Sequence, residues 1–155
     1  MSAIISQCGK YRYSLSRGEP EKIVCFVMLN PSTADHQQDD PTIRRCLGYM
    51  RDWGYTGLRV LNIYAYRATD PSELTKVSDP HGSGNRGAWE DELPRADLVV
   101  CAWGSKARLS HVRHFQSVAR RLGVDLYCLD TTKSGMPKHP LYLKADLKPK
   151  PLGPL

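Results

Sequence analysis

Four short apolar runs constrain this chain more than any other feature. Residues 23–29, 58–64, 97–103 and 124–129 are too brief for buried helices and rich in β-formers, so each reads as a strand, the first a central one covered on both faces. Helical patterns separate them. Asp40 is the expected N-cap of the first, with Pro41 at the first helical position, then Ile43, Cys46, Leu47 and Met50 on one face and Gly54 as the stop. Another is predicted over 106–122, with Val112, Phe115, Ala119 and Leu122 inward and Gly123 ending it. A shorter one is predicted over 85–93, and Pro71 opens a single turn. Parallel strands need crossover connections, so this alternation predicts a three-layer α/β/α sandwich around a central, mainly parallel four-stranded sheet. Residues 1–20 could add an edge hairpin, and 144–155, rich in proline and lysine, read as a loose tail.

A chain of 155 residues has room for one core, so all motifs should serve one site in a single domain. Twenty-two Lys and Arg against 16 Asp and Glu favour a polyanionic partner, the more so because Lys133, Lys138, Lys144, Lys148 and Lys150 cluster beyond Thr131. No apolar run reaches the ~20 residues of a membrane span, and the N-terminus lacks the pattern of a secretory leader, so a cytoplasmic protein is expected. The five cysteines include no Cys-x-x-Cys pair, which argues against structural zinc or an iron–sulfur cluster; neither metal nor cofactor is expected.

In such a sheet, ligands bind beyond the carboxyl ends of the strands. There the sequence places Asn30-Pro-Ser-Thr-Ala-Asp35, then Asn62 with Tyr64 just after it, then Trp103-Gly104-Ser105, and finally the loop 131–140 containing His139. Pro31 would fix the direction of the Asn30 amide, which either closes an Asx turn or reads a ligand. Asn62 interrupts an apolar strand and needs a partner, from backbone or from ligand. His139 could donate to a group gaining negative charge.

Taken together and in order, these segments resemble the uracil-DNA glycosylase superfamily. Met28-Leu-Asn-Pro-Ser32 looks like the first active-site motif of its mismatch-specific branch, and Val60-Leu-Asn-Ile63 like the strand whose Asn reads the base. Val100-Cys-Ala-Trp-Gly-Ser-Lys-Ala107 is similar to a helix-opening segment of the uracil enzymes, and Lys138-His-Pro-Leu-Tyr142 to a shortened form of their His-Pro motif. More closely, residues 9–143 resemble a bacterial and phage family of unknown function whose pattern includes Asn-Pro-Ser-Thr-Ala-Asp, Asp-Asp-Pro-Thr, Arg-Ala-Thr-Asp-Pro and His-Pro-Leu-Tyr.

The glycosylase resemblance implies hydrolysis of the N-glycosidic bond of a damaged or modified base, in DNA rather than RNA or in a nucleotide. Asn30 would position the water, with Pro31 and Ser32 beside it; Asn62 would hold the base edge, and His139 would stabilise the base anion. A base in DNA must be flipped out of the stack. Arg44, Arg67, Lys133, Lys138 and Lys144 could then meet phosphates while Leu141 or Tyr142 fills the gap. This chain lacks the Gly-Gln-Asp-Pro-Tyr motif and its catalytic Asp, so a carboxylate would have to come from Asp35, Asp39 or Asp40. Tyr64, Tyr66 and His36 are equal candidates to stack on the base. Two other functions compete: a non-catalytic nucleobase-binding module, and a metal-assisted hydrolase using Asp35, His36, Asp39 and Asp40. His111 and His114 could pair as ligands, but a solvated basic helix face is the better explanation of their spacing.

Overall fold

The computed structural model describes residues 1–155. Its N-terminal hairpin joins β1 (Ser2–Ile5) to β2 (Arg12–Gly18), antiparallel with a register shift at Ile4/Ile5. The chain then enters β3 (Ile23–Met28), buried at every position, and α1 (Pro41–Asp52) returns it to β4 (Gly57–Asn62). A 3₁₀ turn (Pro71–Thr75) and α2 (Asn85–Glu92) lead to β5 (Leu98–Cys101). Helix α3 (Leu109–Arg121), the short β6 (Tyr127–Cys128), another 3₁₀ turn (Pro140–Tyr142) and β7 (Lys150–Pro151) complete it.

The sheet has seven strands rather than four, in the order β1-β2-β4-β3-β5-β6-β7. The four expected strands are neighbours and run parallel, while β1, β2 and β7 add antiparallel flanks. The expected hairpin therefore lies at one edge, with β2 alongside β4. That close approach depends on Gly57, where a Cβ would stand 2.1 Å from the Glu19 carbonyl.

Both faces of the sheet are covered. Phe26, Val60 and Val100 pack beneath Ile43, Cys46 and Tyr49 of α1. On the other face Val27, Leu61 and Cys101 meet Trp89 of α2 and Val112 and Phe115 of α3. Each buried aliphatic or aromatic side chain contributes on the order of 1.5–3 kcal/mol, so alternation along the strands fixes which face each residue takes. Helix α1 begins as the sequence predicts: the Asp40 carboxylate accepts from the Ile43 N–H at 2.9 Å, and Pro41 occupies the first turn. Helix α3 starts later than 106, at Leu109.

The C-terminal tail is not loose. Residues 143–147 cross α1, where Tyr49 Oη donates to the Lys144 carbonyl at 2.7 Å and Trp53 Nε1 to that of Leu147 at 3.1 Å. The chain then pairs with β6 and ends against α3, where Gln116 accepts from the Leu155 N–H at 3.1 Å and donates to the Gly153 carbonyl at 3.2 Å. The prolines that suggested looseness instead fix an extended path along the sheet edge. No helix is long and apolar enough to cross a membrane.

Candidate functional site

A cavity of about 700 Å³ opens at the carboxyl ends of β3, β4 and β5, on the α1 side of the sheet. Asn30, Pro31 and Ser32 enter it from the end of β3, Asn62 from β4, Trp103, Gly104 and Ser105 from β5, and Lys138, His139, Leu141 and Tyr142 from the last loop. Gly104 can turn here because it adopts φ +76°, and no neighbour would obstruct a Cβ, so conformation rather than space demands glycine.

Asn62 is 1% exposed, and neither its Oδ1 nor its Nδ2 has a hydrogen-bond partner. Its backbone is not free in the same way: the Asn62 carbonyl accepts from Asn85 Nδ2 and Trp89 Nε1, both at 3.0 Å. The strand is thus clamped from the α2 side while the amide turns toward the cavity. Leaving both ends of a buried amide unpaired costs about 1–3 kcal/mol per group, a cost that a ligand with a complementary edge removes.

Asn30 is arranged differently. Its Nδ2 donates to the Pro31 and Ala68 carbonyls at 3.0 and 2.8 Å, which leaves Oδ1 as the acceptor without a protein partner. His139 Nδ1 accepts from the Leu141 N–H at 3.2 Å, so the neutral ring carries its proton on Nε2 and has one donor to offer. Burial lowers the His139 pKa below the usual histidine value, and the nearby Asp40 carboxylate opposes that shift only in part.

Two charged cavity residues, Arg12 and Lys106, lie outside the set expected from sequence. Arg12, 2% exposed, donates through Nη1 to the Ala34 carbonyl at 2.9 Å, and its Nε–H has no partner. Burial brings its pKa down to about 10, with Asp40 pulling the other way. Asp40, weighed both as a helix cap and as a source of the carboxylate, caps α1 and also lines the cavity. Lys106 lines it too.

Several expectations need correction. Asp35 lies outside the cavity: its carboxylate accepts from the Gln37 and Gln38 N–H groups at 2.9 and 2.8 Å, which holds its pKa below the usual carboxylate range. Asp39 pairs with Arg17 at 2.8 Å. With Asp35 and Asp39 so engaged and Asp40 capping a helix, the acidic loop does not converge on a cation site, and no other group of His, Cys, Asp and Glu does. Tyr64 is buried beneath α3, where its hydroxyl shares a hydrogen bond with His111 Nδ1 at 2.7 Å and accepts from the Arg108 N–H at 3.1 Å. Neither Tyr64 nor Tyr66 nor His36 lines the cavity. Trp103 does, and its indole donates to Met136 Sδ at 3.4 Å and packs edge-on to Phe115, so it forms part of the wall. The ring free at the rim is Tyr142, 84% exposed and beside His139.

The basic residues divide. Lys138 lines the cavity with Nζ 3.4 Å from Asp130, whereas Arg44, Arg67, Lys133 and Lys144 lie outside it. Arg67 is a brace, donating to the Ser32 and Gly9 carbonyls at 3.3 and 3.4 Å. Arg44 donates to the Asp39 carbonyl at 3.3 Å, and Lys133 and Lys144 are exposed.

One protein family matches the chain, over residues 12–141, and its description reads "Protein of unknown function (DUF1643)". This chain belongs to the DUF1643 family. The DUF1643 match begins on Arg12 and ends on Leu141, both cavity residues, and takes in the whole lining described above except Tyr142. No curated protein and no solved structure matches the chain.

Proposed function

We propose that this DUF1643 protein recognises a nucleobase through Asn62 and hydrolyses its N-glycosidic bond, on a site and fold resembling those of the uracil-DNA glycosylases. The observation that carries the reading is the Asn62 side chain, a buried donor and acceptor side by side with no protein partner at the wall of a cavity. The edge of a nucleobase, with adjacent carbonyl and N–H, complements such a pair.

The chemistry follows from charge. As the bond from the sugar to the base nitrogen breaks, the electron pair stays on the base and positive charge grows on the sugar. Water attacks the sugar carbon, and its proton must leave. Asn30 Oδ1 accepts from that water and orients it, while the Asp40 oxygen not used in the helix cap takes its proton. His139 Nε2–H donates to an oxygen of the departing base and stabilises its negative charge. For a base in DNA, exposed Leu141 and Tyr142 stand at the rim to occupy the vacated stack, and surface lysines meet phosphates.

The test is to incubate the protein with single- and double-stranded DNA and RNA carrying normal, deaminated and hypermodified bases, then measure abasic sites and released base. Base release lost in Asn30→Ala and His139→Ala is the expected result; no release from any substrate rejects the enzymatic reading. One observation favours a second function, a non-catalytic nucleobase-binding module: the only carboxylate in the lining, Asp40, already serves as a helix cap. Binding without release, unaffected by chelator, is the outcome that selects it.

A further inference from the structure

We propose that Arg12 is a ligand-binding residue of this cavity and that its guanidinium takes an anionic or strongly polarised oxygen of the ligand. The orientation of the ligand, with its base edge on Asn62, rests on the function proposed above; the oxygen on Arg12 does not.

Arg12 belongs to β2, which pairs with β4, so its side chain enters the cavity from the strand beside that of Asn62. A guanidinium has five N–H donors, and the protein uses few of them here: Nη1 meets the Ala34 carbonyl, and Nε is buried with no acceptor. No carboxylate forms an ion pair with it, since the one acidic residue in the lining, Asp40, acts on it only from beyond 4 Å. A buried cation left in this condition is costly unless something completes its shell. Arg17, on the same strand, shows the contrast. It pairs with Asp39 and also donates to the Asp35 and Gln38 carbonyls, so its charge is satisfied within the protein.

The surroundings favour an oxyanion. Lys106 joins Arg12 in the lining against the single carboxylate of Asp40, while Lys138 is paired with Asp130. Two sources supply that chemistry: the phosphate of a nucleotide, for which about 700 Å³ leaves room beside a base, or an oxo group of the base itself, which becomes anionic as the base departs.

Titration calorimetry distinguishes them, with uracil, hypoxanthine, their nucleoside 5′-monophosphates and inorganic phosphate as probes, on the wild-type chain and on Arg12→Gln, Arg12→Lys and Asn62→Ala, each checked for folding by its thermal transition. Arg12→Gln is expected to weaken every bound probe that places its oxygen on Arg12 at least tenfold. Arg12→Lys, which keeps the charge but loses the planar fork, is expected to do so even if the glutamine variant fails to fold. Loss confined to the monophosphates and inorganic phosphate identifies the phosphate as the source; equal loss for free bases identifies the oxo group. Unchanged affinity in a folded Arg12 variant overturns the proposal, even where Asn62→Ala abolishes binding and the nucleobase reading stands. Conversely, loss in the Arg12 variants with Asn62→Ala unaffected removes the nucleobase reading and leaves Arg12 in place. A wild-type chain that binds none of the probes at millimolar concentration also overturns it.

Discussion

Asn62 is the residue at which the proposed ligand role can be told apart from a structural one. A buried amide that braced the fold would cost stability when removed, but this one has nothing to lose. Asn62→Ala is therefore expected to leave the denaturation midpoint unchanged or raised while weakening nucleobase binding at least tenfold, measured by thermal melting and titration on the same sample. Sequence alone could identify the residue, because an Asn inside an apolar strand is conspicuous. It could not show that the backbone carbonyl is taken by Asn85 and Trp89 while the amide has no partner, since that depends on side chains 23 and 27 positions away. Tyr64 shows the opposite failure. A tyrosine after a strand end suits a site, yet its register turns it under α3, where His111 and Arg108 satisfy its hydroxyl.

Among the elements, α1 carries two duties at its first turn. Asp40 caps the helix and also supplies the carboxylate proposed to accept a proton from water. Asn caps about as well as Asp, so Asp40→Asn should stay within about 0.5 kcal/mol of the wild type in stability while losing base release; Asp40→Ala should lose release and about 1 kcal/mol besides. Urea melts paired with the abasic-site assay check both. Gly104→Ala should cost about 1 kcal/mol through its positive φ, with no steric contribution. The central strands and α1 were legible because periodicity and caps are local signals. The place of β2 was not, because nothing local to residues 12–18 specifies pairing with β4, and so Arg12 looked like an edge residue rather than part of the cavity.

For the whole molecule, pH is the sharper probe. His111, His114 and His139 all have pKa values lowered, in each case first by burial. The unfolded chain therefore binds protons that the folded one resists, so this contribution to stability is complete above about pH 6.5 and is lost as pH falls through the lower folded values. Denaturation midpoints should drop between pH 7 and 5, and His139→Gln should flatten part of that slope. Below about pH 4 a second loss is expected from Asp35, Asp70 and Asp130, whose carboxylates are held low first by backbone N–H groups. The C-terminal strap sets a further condition on any shortened form. A chain cut after Leu141, where the family match stops, would keep almost every cavity residue and still uncover Tyr49, Trp53 and the free edge of β6. Bare strand edges recruit other strands, so the trimmed protein should self-associate in light scattering before its pocket can be assayed.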